Sequence, residues 1–292
     1  MDEVNKYHEN YGPGEDDRFV RLRTAEILKD RAQNPDIEVQ KLLFSCIDLT
    51  TLNTDDNGAT ARRFCRNLSL FQERFPSIPS VAAVCVYPTL VEEIRKSLTV
   101  SNINIAAVGA GFPSSQTFIS IKLAECELLV SKGADEIDIV ISVGRFLGGD
   151  YQRVFDEIYL IKNMIGDIHL KVILETGLLK TAQNIRLASL IAMEAGADFI
   201  KTSTGKLSPA ATPEAVYVMA KAIRDYHSHT GKMVGLKPAG GISNLDDAMI
   251  YYTLIENLLG EEWLTPGLFR IGASRLANHL LSSIKGQEVN HF

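Results

Sequence analysis

Three observations predict an α/β fold of the (β/α)8 TIM-barrel type, with an extra helix at the N-terminus. From about Lys41 onward, short apolar runs alternate with longer segments of helical period. The runs are apolar throughout, as parallel strands covered on both faces must be. Several helices also end in one phrase, Ser131-Lys132-Gly133-Ala134-Asp135 and Glu194-Ala195-Gly196-Ala197-Asp198, which puts Gly at a left-handed cap just before a buried strand. Eight such units fill about 250 residues, the usual extent of this barrel. A doubly wound sheet shows the same alternation and is the less favoured architecture.

Residues 1–36 read as an N-terminal extension, with one amphipathic helix over Arg18–Arg31 closed by Asn34-Pro35. Residues 37–292 read as the barrel with a short C-terminal tail, since no Pro/Ser-rich linker divides them. The expected strands are Leu42–Ile47, Val81–Val86, Ile105–Val108, Glu136–Ile141, His169–Leu174, Phe199–Ile200, Met233–Leu236 and Leu268–Ile271. The helical period places helices between them at Ala59–Arg74, Phe118–Lys132, Tyr151–Met164, Ala182–Ala195, Pro213–His227 and Leu245–Leu258.

Composition narrows the function class. Of 292 residues, 46% are hydrophobic and 23% charged, as in an ordinary globular chain, which excludes disorder. The net charge of -6 argues against nucleic acid as a partner. No run approaches the ~18 apolar residues of a membrane span, so no membrane is expected. The polar stretch Met1–Asp17 has no signal-peptide core. Cys46, Cys65, Cys85 and Cys126 form no CxxC pair and sit in apolar runs, so they read as buried thiols of a cytoplasmic protein.

Function in such a barrel belongs at the C-terminal ends of the strands. Lys201 and Lys237 each directly follow an apolar strand, and the two strands are neighbours about 4.8 Å apart. Two ammonium groups then converge, and repulsion with partial desolvation lowers the pKa of one. A neutral amine at pH 7 is a nucleophile for carbonyls, the requirement of Schiff-base catalysis. Asp138 lies inside an apolar strand, and a buried carboxylate needs a partner, so a lysine across the barrel mouth is expected. Proton transfer and mere ion pairing carry equal weight for Asp138; for Asp48, at the end of the first strand, ion pairing is somewhat favoured. The Gly-rich loops Thr204-Gly205-Lys206, Ala239-Gly240-Gly241 and Gly272-Ala273-Ser274 follow the last three strands. There, bare backbone N–H groups form the recurring phosphate site of barrels, to which Lys206 adds charge.

Other motifs fail. Gly109-Ala110-Gly111 lacks the later glycine of a dinucleotide fingerprint, and Ile200 stands where a P-loop needs its first glycine. Asn53–Gly58 echoes a calcium loop, yet Phe64 replaces the bidentate Glu. The histidines show no metal-ligand spacing. No cofactor and no metal are therefore expected.

The segments Ile47-Asp48-Leu49-Thr50-Thr51-Leu52, Val84-Cys85-Val86-Tyr87-Pro88, Gly133–Asp138, Phe199–Lys206 and Gly235–Ile242 resemble those of the deoxyribose-phosphate aldolase family, class I aldolases of (β/α)8 fold. The likeness runs from about Lys41 to about Leu281, and the extra N-terminal helix is similar to the longer, eukaryote-like members. The resemblance implies reversible cleavage of 2-deoxy-D-ribose 5-phosphate to D-glyceraldehyde 3-phosphate and acetaldehyde, in deoxyribose phosphate catabolism, and a homodimer. It implies that Lys201 is the Schiff-base lysine, that Lys237 depresses its pKa, and that Asp138 is the acid/base carboxylate acting through a water. It also implies that Asp48 and Thr50 lie near the substrate hydroxyls, and that Gly205, Lys206, Gly240, Gly241, Gly272 and Ser274 hold the phosphate.

Two positions depart from the family pattern. Ser274 is followed by Arg275 where many members have a second serine; Arg275 either adds a bidentate phosphate contact or points to solvent, the second slightly favoured. The chain ends in Asn290-His291-Phe292, without the terminal tyrosine whose tail assists proton exchange in many members. Two alternatives stand beside this reading: a class I aldolase for another phosphorylated sugar, and a catalytically idle sugar-phosphate-binding barrel.

Overall fold

The computed structural model describes residues 2–292. Eight parallel strands, β1 (Ile47–Thr50), β2 (Ala83–Val86), β3 (Asn104–Gly109), β4 (Glu136–Val140), β5 (His169–Ile173), β6 (Phe199–Lys201), β7 (Gly235–Lys237) and β8 (Ile271–Ala273), run in the order β7-β6-β5-β4-β3-β2-β1-β8. Bridges Leu236↔Phe269 and Ala239↔Gly272 join β7 to β8 and close the ring. The architecture is the expected (β/α)8 barrel with alternating helices, and the doubly wound sheet is excluded.

The repeated Gly-Ala-Asp phrase has one structural job at both sites. After the helix Ile119–Ser131, Gly133 (φ +94°) turns the chain, and Ala134 N–H donates to the Leu129 carbonyl at 3.0 Å. After the helix Ala182–Glu194, Gly196 (φ +99°) does the same, with Ala197 N–H on the Ala192 carbonyl at 3.0 Å. Only Gly takes such φ cheaply, and the bonds satisfy helix-end carbonyls. The Asp that follows then accepts the N–H of the second residue of the preceding strand: Asp135 from Ile105 at 2.8 Å, Asp198 from Leu170 at 2.7 Å. Arg95 and Lys162 neutralise the two carboxylates.

Element starts follow side-chain caps. Asn57, Thr181, Thr212 and Asn244 each accept an N–H from the first turn of the helix they precede. Leu42–Ile47, expected as the first strand, is helical up to Ser45, because Asp36 caps a helix Ile37–Ser45 by accepting from Val39 N–H at 2.9 Å. The run is Leu-rich rather than β-branched, and the strand begins only at Ile47. The expected strand Leu268–Ile271 starts at Ile271, since Leu268 and Phe269 are turned back onto the Thr265 carbonyl.

The N-terminal segment holds two helices, Asp2–Tyr11 and Asp17–Lys29, rather than one over Arg18–Arg31. Val20 and Ile27 are buried, Asp17 accepts from Ala182 N–H at 2.7 Å, and Tyr217 donates to Glu15 at 2.8 Å. The buried Arg186 guanidinium binds the Tyr11 carbonyl and Asp225. This segment is therefore a strap packed on three outer helices. All four cysteines are buried and free, as expected. Among the described residues, no helix is long and apolar enough to cross a membrane.

Candidate active site

Each strand delivers one layer of the site because side chains alternate inward and outward. Register pairs Lys201 with Lys237, and Asp138 with Lys171. Buried side chains of β1, β4, β5, β6 and β7, with Arg270 just before β8, thus converge on one point.

There the two lysines flank a single carboxylate oxygen. Asp138 Oδ2 accepts from Lys201 Nζ at 2.7 Å and from Lys237 Nζ at 2.8 Å. Asp138 Oδ1 takes Lys171 Nζ at 3.1 Å. Lys237 also pairs with Asp48, and Lys171 pairs with Glu136 and, at 3.2 Å, with Asp48. Beneath them, Arg270 donates to Asp48 Oδ1 at 2.6 Å and to Glu136 Oε1 at 2.8 Å. Four cations meet three carboxylates, all buried.

The electrostatics separate these groups. Burial pushes the Lys201 amine down, and nearby Lys237 pushes it further; the attraction of Asp138 does not offset them, so its pKa falls below the ordinary lysine value. Burial acts equally on Lys237, but Asp138 and Asp48 together outweigh it and raise its pKa. Lys171, held by three carboxylates, is raised as well. Burial pushes the Asp138 carboxyl up, yet Lys171, Lys201 and Lys237 overcome this and keep it ionised. Asp48 is likewise held far down by Lys171, Lys237 and Arg270 against its burial. The lysine of lowered pKa is therefore Lys201, and desolvation contributes more to the lowering than repulsion does.

Above this network opens a cavity of ≈ 230 Å³, with Lys201 in its lining. Thr50, Gly205, Lys206, Gly240, Gly241, Gly272 and Ser274 line it too. Gly205 (φ +74°), Gly240 (φ +84°) and Gly241 (φ +83°) adopt the left-handed region, which leaves backbone N–H groups bare of side chains. A Cβ on Gly240 would stand 2.7 Å from that of Ala210. Lys206 Nζ reaches across to the Leu52 carbonyl and lies 5.9 Å from the Tyr87 ring centroid. The strand-six loop is braced from behind: Glu175, itself left-handed at φ 55°, accepts from Thr204 Oγ1 at 2.6 Å and Thr204 N–H at 3.2 Å. Arg275 is exposed on the cavity rim and, among the described residues, makes no ion pair.

Asp48 differs from the other candidates. It is wholly buried beneath the cavity, and its carboxylate is taken by Lys171, Lys237 and Arg270, so only Thr50 of that pair faces the opening. Sequence reasoning passed over Lys171, Glu136 and Arg270. The signal was present for Lys171 and Arg270, each a lone charge between apolar residues, whereas Glu136 follows Asp135 and reads as the polar start of its strand. The C-terminal tail is far from this site: His291 and Phe292 dock among Phe44, Phe71 and Phe75, at the N-terminal end of β1 and β2. Asn278 Oδ1 accepts both of their N–H groups at 3.0 Å.

A closed (β/α)8 barrel with a buried lysine of lowered pKa at the C-terminal mouth, under glycine-walled loops, suits an enzyme working on carbonyl compounds. Residues 43–257 match the model of the DeoC/LacD family aldolases, and the chain belongs to that family. A Homo sapiens deoxyribose-phosphate aldolase is 43% identical over 260 residues, covering 84% of this chain and 79% of its own length. Among solved structures, an aldolase designated QR15 superposes with a TM-score of 0.66 at 28% identity, over 82% of this chain and 96% of that one. The deoxyribose phosphate aldolase of Aeropyrum pernix, described as a tetramer, shares the fold with a TM-score of 0.65 at 24% identity, over 90% and 97% of the two chains.

Proposed function

We propose that the chain reversibly cleaves 2-deoxy-D-ribose 5-phosphate into D-glyceraldehyde 3-phosphate and acetaldehyde through an imine on Lys201. One observation carries this reading: the only lysine in the network with a lowered pKa is also the one that opens onto the glycine-walled cavity.

The neutral Lys201 amine adds to C1 of the open-chain aldehyde, and loss of water gives an iminium. A base then takes the C3 hydroxyl proton while the C2–C3 electron pair moves into the iminium. This breaks the bond, releases glyceraldehyde 3-phosphate and leaves an enamine. Protonation of that enamine at C2 and hydrolysis of the resulting iminium release acetaldehyde and restore Lys201. Asp138, acting through a water, moves these protons; Lys237 stays charged beside it and disfavours a proton on Lys201. The bare N–H groups around Gly205, Gly240, Gly241, Gly272 and Ser274, with Lys206, hold the phosphate, and Thr50 meets a sugar hydroxyl. Asp48 acts from below, orienting Lys237. Fixed dipoles of this kind bind an anion without the reorganisation that water requires.

Borohydride trapping with acetaldehyde, followed by peptide mass spectrometry, tests the proposal. An ethyl adduct on Lys201 is expected; folded protein with no adduct on either lysine would favour the idle sugar-phosphate-binding barrel. A reducing cytoplasm suits the four buried thiols. The proposed homodimer is supported by the exposed Phe118, Ile121, Leu128, Tyr159 and Leu160 around the neighbouring helices Ile119–Ser131 and Tyr151–Ile165. Light scattering on the eluting protein tests it.

A further inference from the structure

We infer that Arg270 sets the charge state of Lys201 from beneath the site: its fixed charge occupies the carboxylates that would otherwise hold a proton on that amine. The inference rests on the reading of Lys201 as the imine-forming lysine. Arg270 does not line the cavity, so it is a positioning residue.

Arg270 is spent on both Glu136 oxygens, at 2.8 and 3.2 Å, and on Asp48 Oδ1 at 2.6 Å. Its Nε binds the Pro266 carbonyl, and the guanidinium lies 5.6 Å from the Phe199 ring centroid, which leaves it no freedom to turn away. Lys171 then shares Glu136, Asp48 and Asp138, and Lys237 shares Asp48 and Asp138. Lys201 is left with one contact, an Asp138 oxygen it shares with Lys237. The other groups facing this cluster do not change the count. Cys46, near Arg270, is pushed up to about 12 by burial. Cys85, near Lys201, is also raised by burial, so both thiols stay neutral. Asn104, which donates to Glu136 at 2.8 Å, is uncharged.

Four cations against three carboxylates leave one positive charge unpaired, and a buried unpaired ion sheds its charge by changing protonation state. Guanidinium does not deprotonate in proteins. The loss therefore falls on the amine with the fewest carboxylate contacts, which is Lys201. The directions of the shifts agree: Lys201 is lowered, whereas Lys171 and Lys237 are raised.

The count makes signed predictions for charge-removing variants, read as the pH midpoint of acetaldehyde–borohydride trapping on Lys201. Arg270→Gln leaves three amines for three carboxylates, so Lys201 can keep its proton and the midpoint rises by about one pH unit. At a fixed pH below the midpoint, trapping slows roughly tenfold, since each unit changes the neutral fraction by ten. Glu136→Gln leaves four cations for two carboxylates and moves the midpoint down. The double variant Arg270→Gln/Glu136→Gln restores an excess of one and returns the midpoint to that of the wild type. Arg270→Lys keeps the charge and leaves the midpoint in place. A role in packing alone would lower Tm or trapping amplitude without moving the midpoint. Should Arg270→Gln fail to fold, Glu136→Gln and the double variant decide. An unmoved midpoint in either folded single variant, or a double variant displaced as far as a single, overturns the inference. No adduct on wild-type Lys201 would instead overturn the assignment of the nucleophile.

Discussion

Replacing Asp138 by Asn separates proton transfer from imine formation. The carboxylate accepts from Lys201 at 2.7 Å, Lys237 at 2.8 Å and Lys171 at 3.1 Å, so the amide removes the one anion common to all three amines. Breaking a buried ion cluster from one side costs about 3–5 kcal/mol. That cost lies within the roughly 5–15 kcal/mol that holds a typical domain folded, so the variant is expected to fold with a lowered Tm. The attraction of Asp138 is what opposes burial at Lys201, so its loss lowers the Lys201 pKa further. The sign follows: more of the amine is neutral at a given pH, and the acid limb of adduct formation moves to lower pH. Turnover moves the other way, because an amide neither gives nor takes a proton; a loss of about 10²–10⁴-fold in kcat is expected. Borohydride trapping and the steady-state cleavage assay, run on one preparation across pH 5–9, read the two effects separately. Turnover within tenfold of wild type would refute proton transfer by Asp138. Trapping and turnover falling together, in folded protein, would reduce Asp138 to holding Lys201 in place.

Lys201→Ala abolishes both the adduct and turnover, whereas Lys237→Leu keeps the adduct but raises the pH at which it forms, because a neighbouring charge that disfavours the ammonium is lost; adduct yield reads the first and the pH midpoint of trapping the second. Gly272→Ala builds a methyl 2.8 Å from Ala239 Cβ and 3.3 Å from Lys237 Cε, where β7 and β8 are tied by the Gly272 N–H to Pro238 carbonyl bond at 2.9 Å. Overpacking of this kind costs about 1–3 kcal/mol, and since the displaced atoms belong to the site, a fall in kcat/KM beyond that expected from Tm is predicted. Appending Tyr after Phe292 leaves deuterium exchange into acetaldehyde unchanged, because the tail is docked at the opposite end of the barrel. An increase in exchange would show that the tail undocks and reaches the site. Burial lowers the His291 pKa, so the folded state binds fewer protons there than the unfolded one; the contribution of His291 to tail docking is present above about 6.5 and is lost as pH falls below it. Carboxypeptidase release of Phe292 should accelerate below that pH in a way His291→Gln does not show.

The barrel was legible because its evidence is local. Glycine caps, apolar runs and helical periods each lie within about fifteen residues, and the Gly-Ala part of the repeated phrase closes its helix-end hydrogen bonds within five residues. The first strand was misplaced where two local signals competed: Leu42–Ile47 is apolar enough for a strand, but the Asp36 cap starts a helix that consumes it. Lys201 and Lys237 stood out because each closes an apolar run, and Asp138 because it interrupts one. Lys171 interrupts β5 in the same way and Arg270 precedes β8, yet neither lies at a strand's C-terminal end, where function was sought. Which of these charges meet is set by strand stagger around the closed ring, a quantity no single segment encodes. Asp48 shows the consequence. It follows the first strand's apolar residues as a rim group should, but the stagger sinks it below the cavity, where it serves Lys237 and Arg270.

A core of seven ionisable positions is an expensive way to fill a barrel. Apolar residues of matching volume in place of a buried ion cluster are commonly neutral or stabilising by about 1–4 kcal/mol. Stability therefore does not account for Lys171, Glu136 and Arg270, which never see the cavity. Their arrangement makes sense as a way of imposing an odd charge. A lone lysine in an apolar pocket would also be neutral, but it would have no anion beside it to move protons. A lysine with a carboxylate of its own would have the anion and keep its proton. Sharing three carboxylates among four basic groups serves both conditions at once: Asp138 stays ionised because three amines surround it, and Lys201 is the amine pushed toward the neutral form, because the others hold the carboxylates more fully. The proposed nucleophile and its proposed proton carrier can then sit 2.7 Å apart in the states each needs, which a simple pair in the same low-dielectric interior would not sustain.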